Sequence, residues 1–344
     1  MKAAVLTGVR QMEVREVPDP VMEKDTDVLL KIEKVGVCGS DVHYYETGRI
    51  GSQVVKFPFI VGHECAATVA KIGPGVKSLK VGQEVVVEPA VSCHNCAQCN
   101  QGRENTCFNL RFLGTPGQGE GCLSEYIAMP EECCLPTDGK ISIEQGVLCE
   151  PLAIAVYAVK QSRPPRDADV AMLGAGPIGL SCMVSAQAQG VRACYLTEKI
   201  DERVETARQG GATWVGNPLK EDVVAAILKQ QPLGMDVVYE CAGQQETIDQ
   251  AIELLKPGGK LMLIGIPRED RISFAIDQIR RKEVTIVNVR RQNACTQAAI
   301  DLLASGKGDV DFMVTHRFGL EQTQEAFELV AGYRDGVVKA MIEM

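Results

Sequence analysis

The stretch Val170–Leu180, V-A-M-L-G-A-G-P-I-G-L, decides the fold of the second half of the chain. Its apolar beginning predicts a buried strand, and Gly174, Gly176 and Gly179 follow in G-x-G-x-x-G register. In a dinucleotide-binding fold these glycines permit the tight turn, let the backbone approach a pyrophosphate, and let helix and strand pack closely. The stretch therefore predicts a strand, a phosphate-binding turn and a helix.

A carboxylate follows this turn at the distance that a dinucleotide site needs. Glu198 lies 19 residues beyond Gly179, at the end of the next predicted strand. A carboxylate there can accept both ribose hydroxyls and repels a 2′-phosphate, so the pattern favours NAD over NADP. Arg203, one helical turn later, can reach the same ribose edge. A glycine-rich turn followed by a surface glutamate is the alternative interpretation.

An uncharged run extends from Val170 to Val191 and allows a second alternative, a transmembrane helix. The glycines and Pro177 in its first half, and Gln187 near its end, favour a strand, a turn and a buried helix instead. We therefore expect no membrane partner.

The rest of this half alternates between predicted strands and helices, which is typical of a doubly wound parallel α/β sheet. The predicted strands are Val170–Leu173, Ala193–Thr197, Asp236–Glu240, Lys260–Ile264 and Glu283–Val287.

The first 150 residues are β-rich, with short apolar runs between Gly, Pro and charged turns, and predict a small barrel-like domain with long loops. The tail after Arg291 ends in a strand-like run, Val337–Ile342, that we expect to return to this domain. The predicted domains are residues 1–151 with 291–344, and residues 152–290, the latter being the Rossmann domain.

Composition limits the possible partners and the compartment. The chain has 344 residues and a net charge of −9, which argues against nucleic acid as a partner. Its 14 cysteines are too few for a disulfide scaffold, and the apolar N-terminal run ends at Val9, too short for a secretory signal. A reducing cytoplasm is the expected location.

Four cysteines lie close together with the spacing C-x2-C-x2-C-x7-C, namely Cys93, Cys96, Cys99 and Cys107. Four thiolates can close a tetrahedron around zinc, and such a site folds a loop rather than performing chemistry. The surrounding residues have almost no core of their own, so metal binding would supply folding energy.

A second possible metal set combines cysteine, histidine and carboxylate: Cys38, His63, Glu64 and Glu150. These ligand types suit zinc. Their spacing is irregular, however, and each residue taken singly is more often structural than metal-bound.

The motifs together resemble those of the zinc-dependent medium-chain alcohol dehydrogenases over essentially the whole chain. The shared runs are C-G-S-D-V-H from Cys38, G-H-E from Gly62, the four-cysteine lobe and G-A-G-P-I-G from Gly174. The run Cys38–Gly51 and the E-P-L run at Glu150 are most similar to the polyol branch, the sorbitol and xylitol dehydrogenases. Ala67 replaces a family glycine, and Arg291 stands where sorbitol enzymes have tyrosine.

This resemblance implies a GroES-like catalytic domain that carries a structural zinc lobe, joined to the NAD-binding domain. It implies catalytic zinc held by Cys38, His63 and Glu64, with Glu150 holding the zinc-bound water or replacing a ligand. Hydride would pass from a secondary alcohol of a polyol to NAD and leave a ketose.

Further roles follow from the same resemblance. The proton would leave through Ser40 and His43, and Asp41 would accept the other N–H of His63. An ordinary capped turn is the alternative for Ser40 and His43, and a surface salt bridge for Arg290. The implied substrate contacts are Tyr44, Glu150 and Arg290. The implied cofactor contacts are Gly174, Gly176, Pro177, Ile178, Gly179, Glu198, Arg203, Ile264, Gly265, Ile266, Asn288, Val289 and Arg290.

Other functions stay open at this point. L-threonine 3-dehydrogenases and butanediol dehydrogenases share the E-P-L glutamate and the cysteine lobe, and a non-catalytic NAD-binding protein is an alternative of another class. The family also implies a homo-oligomer, expected to be a tetramer, with the apolar strand near Glu283–Val287 at the edge where two sheets join.

Overall fold

The computed structural model describes residues 1–267, 269 and 271–344, and the chain divides into two units. Unit 1 comprises Met1–Glu150, Ala299–Ala304 and Val314–Met344, and unit 2 comprises Pro151–Ala298 and Ser305–Met313. The domain limits predicted from the sequence stay a prediction.

The strands of the described residues, in chain order, are β1 (Lys2–Gly8), β2 (Gln11–Glu16), β3 (Asp27–Gly36), β4 (Arg49–Ile50), β5 (Gln53–Val54), β6 (Glu64–Ile72), β7 (Glu84–Val87), β8 (Ala90–Val91), β9 (Arg111–Phe112), β10 (Tyr126–Pro130), β11 (Cys134–Pro136), β12 (Asp169–Leu173), β13 (Ala193–Thr197), β14 (Trp214–Gly216), β15 (Met235–Glu240), β16 (Leu255–Leu263), β17 (Thr285–Asn288), β18 (Val314–Gly319) and β19 (Lys339–Glu343).

The α-helices of the same residues are α1 (Gly39–Thr47), α2 (Ile143–Ser162), α3 (Pro177–Ala188), α4 (Asp201–Gln209), α5 (Val223–Gln230), α6 (Gln245–Leu254), α7 (Ile276–Arg281), α8 (Thr296–Ala304) and α9 (Thr323–Ala331).

Unit 1 is built on a mainly antiparallel sheet with the strand order β11-β7-β6-β3-β19-β18, and β10 also pairs with β3. Val28, Leu30 and Ile32 of β3 are buried at alternate positions, as expected of a strand with one face on the core. The last strand, β19, pairs with β3 through Met341 and Gly36, so the C-terminal segment completes the sheet formed by the beginning of the chain.

Unit 2 contains a six-stranded parallel sheet with the order β14-β13-β12-β15-β16-β17. The chain adds strands outward from β12 on one side and then returns to add β15 on the other, which is the doubly wound arrangement. The α/β fold class predicted from the sequence is confirmed. The predicted edge strand Glu283–Val287 is shifted, because ladder pairing begins at Thr285 and continues to Asn288.

The uncharged run from Val170 forms β12, a turn and the largely buried helix α3. Among the described residues, no helix is both long and apolar enough to cross a membrane. The interpretation as strand, turn and helix is confirmed for this segment.

An ion-pair cluster fastens the first turn of α2 to the sheet of unit 1. Glu144 accepts two hydrogen bonds of 2.8 Å from the Arg317 guanidinium and one of 3.0 Å from Lys34. The Arg317 contact lowers the pKa of Glu144 to about 2 although partial burial opposes the shift. The charged form is therefore the one that stabilises the folded state.

We predict that this cluster contributes stability that is lost in acid. A carboxyl group with a lowered folded pKa stabilises the protein above its ordinary pKa near 4.5, and the contribution disappears as the pH falls toward about 2. Arg317 is half exposed, so we expect Glu144→Gln to lower the free energy of unfolding by about 1 kcal/mol at pH 7. Urea unfolding of the two proteins at pH 7 and pH 3 measures this difference, because pH 3 lies close to the lowered pKa of Glu144. An unchanged difference at the two pH values would contradict the assignment.

Candidate functional site

Three possible metal ligands converge in unit 1. The Sγ of Cys38, a ring nitrogen of His63 and a carboxylate oxygen of Glu64 all lie within 4.8 Å of one another. The register of the sheet explains their proximity, because Gly36 at the end of β3 pairs with Glu64 at the start of β6. Thiolate, imidazole and carboxylate are zinc ligands, and three protein ligands leave a position open. The residues present therefore fit a catalytic type of zinc site.

Asp41 orients the histidine of this group. Its Oδ1 lies 3.2 Å from Nδ1 of His63 and also accepts the N–H of Gly62 at 3.3 Å. The ring nitrogen Nε2 is thereby left for the metal, as the sequence predicted. Burial opposes protonation, but Asp41 and Cys38 raise the pKa of His63 well above its usual value.

A buried lysine, which the sequence reasoning missed, contacts Glu64. Lys339 is 1% exposed, and its Nζ lies 2.5 Å from Oε2 of Glu64 and 3.3 Å from the carbonyl oxygen of Val37. Burial opposes the charged form, yet Glu64 and Cys38 keep the pKa of Lys339 above its ordinary value. A single lysine within the apolar run of β19 was the available signal, since a lysine is almost never fully buried unless it is paired.

Glu150 is buried nearby but lies outside the group formed by Cys38, His63 and Glu64. It belongs to α2 and is followed by Pro151, whose missing N–H interrupts the hydrogen-bond ladder of the helix there. Burial is the main reason why the pKa of Glu150 is raised to about 7; His63 opposes the rise, and Glu64 contributes to it. Near neutral pH this carboxyl group can hold or release a proton.

Helix α1 carries the predicted proton-transfer and substrate residues. The hydroxyl of Ser40 donates to Sγ of Cys38 at 3.4 Å, so Ser40 lies beside the candidate metal group. His43, one helical turn later, is half-buried, and the hydroxyl of buried Tyr44 donates to Oε1 of Gln53 at 3.1 Å. The relay through Ser40 and His43 stays a prediction.

The four cysteines of the lobe are brought together as a separate group. Their Sγ–Sγ distances include 3.4 Å for Cys93–Cys107, 3.6 Å for Cys96–Cys99 and 3.9 Å for Cys96–Cys107. A tetrahedral site with Zn–S bonds of about 2.3 Å has edges of about 3.8 Å, so the spacing suits zinc. The main-chain N–H of Asn95 lowers the pKa of Cys93 to about 6, which favours the thiolate that a metal needs.

The glycine turn has the predicted conformation. Gly174 follows β12 with φ of 103°, Gly176 precedes α3 as its N-cap, and Pro177 is at the first helical position. A Cβ on Gly179 would lie 1.9 Å from the carbonyl oxygen of Gly174, so only glycine permits this close approach. The N–H groups at the start of α3, from Ile178 onward, suit a phosphate.

Glu198 interacts with the turn itself. Its Oε2 accepts the N–H of Ala175 at 2.9 Å, and its Oε1 accepts the N–H groups of Lys199 at 2.8 Å and Ile200 at 3.1 Å. Arg203 is buried, and its guanidinium Nη1 lies 3.7 Å from the position of a Cβ on Gly176. Glu198 thus shapes the glycine turn, and its contact with a ribose stays a prediction.

The remaining predicted cofactor residues follow the next strands of the same sheet. Ile264–Ile266 follow β16, and Asn288, Val289 and Arg290 lie at the end of β17, with Val289 donating its N–H to the carbonyl of Leu263 at 2.9 Å. Arg290 is exposed, and its assignment as a substrate contact stays a prediction.

Sequence models of two families match the chain. One is described as the alcohol dehydrogenase GroES-like domain and matches residues 24–139, and the other, zinc-binding dehydrogenase, matches residues 177–305. The sorbitol dehydrogenase of Bacillus subtilis is 35% identical over 343 residues, covering 99% of this chain and 97% of that protein. A protein named probable D-xylulose reductase A of Aspergillus clavatus is 35% identical, with 96% of both chains covered.

Solved structures are similar over the whole length. An Escherichia coli oxidoreductase of unknown specificity has a TM-score of 0.93, 33% identity and coverage of 99% of this chain and 98% of its own. A Sinorhizobium meliloti zinc-binding dehydrogenase bound to NADP has a TM-score of 0.92, 30% identity and coverage of 100% and 99%. An Escherichia coli alcohol dehydrogenase complexed with NADH has a TM-score of 0.90, 27% identity and coverage of 100% and 99%.

Proposed function

The chain belongs to the zinc-dependent medium-chain alcohol dehydrogenase family, and from this premise we propose that it oxidises a secondary hydroxyl of a polyol, of the sorbitol or xylitol type, to a ketose, with NAD as the hydride acceptor. The resemblance inferred from the sequence is confirmed at the level of the family. The convergence of Cys38, His63 and Glu64 carries the proposal, because a non-catalytic NAD-binding protein does not need this open group.

Cys38, His63 and Glu64 would hold the catalytic zinc. When bound there, zinc supplies a Lewis acid that strongly lowers the pKa of a coordinated hydroxyl. Lys339 offsets the negative charge of the Glu64 carboxylate. The three ligands and this lysine together therefore carry less negative charge than the Cys38 thiolate and the Glu64 carboxylate would carry alone. Asp41 keeps His63 in the tautomer that exposes Nε2.

The proton of the alcohol leaves through side chains of unit 1. Glu150, whose pKa is raised to about 7, can hold a proton at its carboxylate, and the half-buried Ser40 and His43 of α1 would pass the proton on. Tyr44 and Glu150 recognise hydroxyl groups of the polyol, and such a polar site disfavours alcohols that lack them.

The dinucleotide binds at the glycine turn of unit 2, with its pyrophosphate at the start of α3. Glu198 supports NAD as the preferred form, whereas Arg203 is a cation that suits a 2′-phosphate. One structural relative holds NADP and another NADH, so the preference needs to be measured directly.

The test is a substrate panel with NAD and NADP side by side: sorbitol, xylitol, galactitol, L-threonine and 2,3-butanediol. We expect the highest kcat/KM for a polyol with NAD, and two zinc ions per chain by metal analysis, one in the open site and one in the lobe. Threonine or butanediol as the preferred substrate would replace the polyol assignment. One zinc ion with no turnover of any alcohol would indicate a binding protein.

The proposal includes a homotetramer in the cytoplasm. Among the described residues no strand pairs with β17 on the side away from β16, so this edge could join the sheet of a second copy. Light scattering measures the assembly, and a monomer would contradict it.

A further inference from the structure

A second glutamate, which the sequence reasoning did not single out, lies buried at the edge of the parallel sheet. Glu240 is the last residue of β15 and is 1% exposed. We propose that Glu240 is a positioning residue of the dinucleotide site, which holds the loop after β15 in the conformation that the cofactor requires. The inference rests on the proposed use of a nicotinamide dinucleotide.

The position of Glu240 in the sheet supports this role. Strand β15 lies between β12 and β16, and Glu240 pairs in register with Leu173 and Leu263. The order of the strands reverses between β12 and β15, and ligands of open α/β sheets bind at this switch point, outside the carboxyl ends of the strands. Glu240 therefore lies directly beside the glycine turn.

One carboxylate oxygen of Glu240 holds the whole connection from β15 to α6. Its Oε1 accepts the N–H groups of Ala242 at 2.9 Å and Gly243 at 2.7 Å, and the hydroxyl of Thr247 at 2.7 Å. Removing this acceptor would leave buried donors without their partner, which destabilises this local conformation.

The main-chain carbonyl of Glu240 also holds the loop that follows β16. Its carbonyl oxygen accepts the N–H groups of Ile264 and Gly265, each at 3.0 Å. A Cβ on Gly265 would lie 2.2 Å from the nitrogen of Gly243. The loop after β15 and the loop after β16 therefore pack too closely to admit a side chain at Gly265. A displacement of Cys241–Gly243 would therefore move the segment Ile264–Ile266, which carries proposed cofactor contacts.

The chemistry of the site favours a carboxylate over a neutral side chain. Burial raises the pKa of Glu240, while the hydroxyl of Thr247 and the N–H of Gly243 and Ala242 oppose that rise. Several donors directed at one carboxylate match its acceptor-only character, whereas an amide presents one acceptor and a donor group.

The test compares Glu240→Ala and Glu240→Gln with Glu253→Gln, which changes an exposed glutamate on the following helix, α6, and serves as the control. NADH binding is titrated by nicotinamide fluorescence, and steady-state rates are measured with the preferred alcohol. We expect Glu240→Ala to raise the Kd for NADH and the KM for NAD about tenfold, because the competent loop conformation becomes a minor one.

Three further readouts separate positioning from general structural damage. In Glu240→Ala, kcat at saturating NAD, the KM for the alcohol and the zinc content should stay within about twofold of wild type, since the loop is restored once the cofactor is bound. Glu240→Gln keeps one acceptor and should lie between Glu240→Ala and wild type, and Glu253→Gln should match wild type. A folded Glu240→Ala protein with the wild-type Kd for NADH would overturn the proposal.

A milder variant covers the case in which Glu240→Ala does not fold. Thr247→Val removes only the hydroxyl that donates to Glu240 and to the carbonyl of Gln244, and should raise the Kd for NADH about threefold. An unchanged Kd in this variant would also overturn the proposal. Failure of the proposed function has a different signature, because the wild-type chain would then bind neither NADH nor NADPH.

Discussion

Replacing Cys38 by alanine is expected to remove one of the two zinc ions and to lower kcat/KM for the alcohol at least about a thousandfold. The three-ligand group loses its thiolate, and the remaining His63 and Glu64 cannot hold the ion well. Without the Lewis acid, several kcal/mol of stabilisation at the developing oxyanion disappear, and 1.36 kcal/mol is tenfold in rate. Metal analysis and steady-state kinetics on the same sample measure both effects.

Two cysteine variants serve as controls for this result. Cys133→Ala changes a buried cysteine of the same unit that belongs to neither metal group, and should keep both ions and full activity. Cys96→Ala should also lose one ion, but from the lobe, so its main effect should be a lower unfolding temperature. A Cys38→Ala protein that keeps two zinc ions and wild-type activity would remove Cys38 from the catalytic centre.

Replacing Lys339 by methionine is expected to lower the free energy of unfolding of the metal-free protein by about 3–5 kcal/mol. Lys339 and Glu64 have side chains only 1% and 2% exposed, and removal of one partner leaves the other charge buried and unpaired. The loss should be smaller in the zinc-loaded protein, because the metal then offsets the charge of Glu64. Urea unfolding with and without a chelator measures the difference.

The double variant Lys339→Met/Glu64→Gln tests the cause of this effect. Removing both charges should recover most of the stability of the metal-free protein, although the zinc site is then impaired. The control is Lys34→Met, which removes a partly exposed lysine paired with Glu144 and Glu343 in the same unit, and should lower stability by no more than about 1 kcal/mol. Equal losses for Lys339→Met and Lys34→Met would show that burial of the pair is irrelevant.

Local patterns in the sequence predicted five of the six strands of the parallel sheet and missed the short edge strand β14. The predicted strand Ala193–Thr197 has the observed limits, and the turn at Gly174 has the positive φ that its glycine indicated. Apolar strands, a glycine turn and an apolar helix each depend mainly on neighbouring residues. The edge strand was displaced because its limits depend on pairing with β16 rather than on its own residues.

Of the two candidate metal groups, one follows from local spacing in the sequence and the other depends on the tertiary structure. The four cysteines lie within one short loop, so their spacing alone predicts their convergence. Cys38 is distant in the chain from the adjacent pair His63 and Glu64, and only the resemblance to a family linked Cys38 with that pair. Their proximity in space depends on the register between β3 and β6.

By itself, the sequence determined the fold class, the dinucleotide turn and the cysteine lobe, because each of these features depends on short stretches with a fixed period or spacing. Only the tertiary structure placed Lys339 against Glu64, left Glu150 outside the ligand group, and seated Glu240 between Leu173 and Leu263. These contacts join segments from distant parts of the chain. Strand order and register, which depend on how whole faces pack, decide which of them meet.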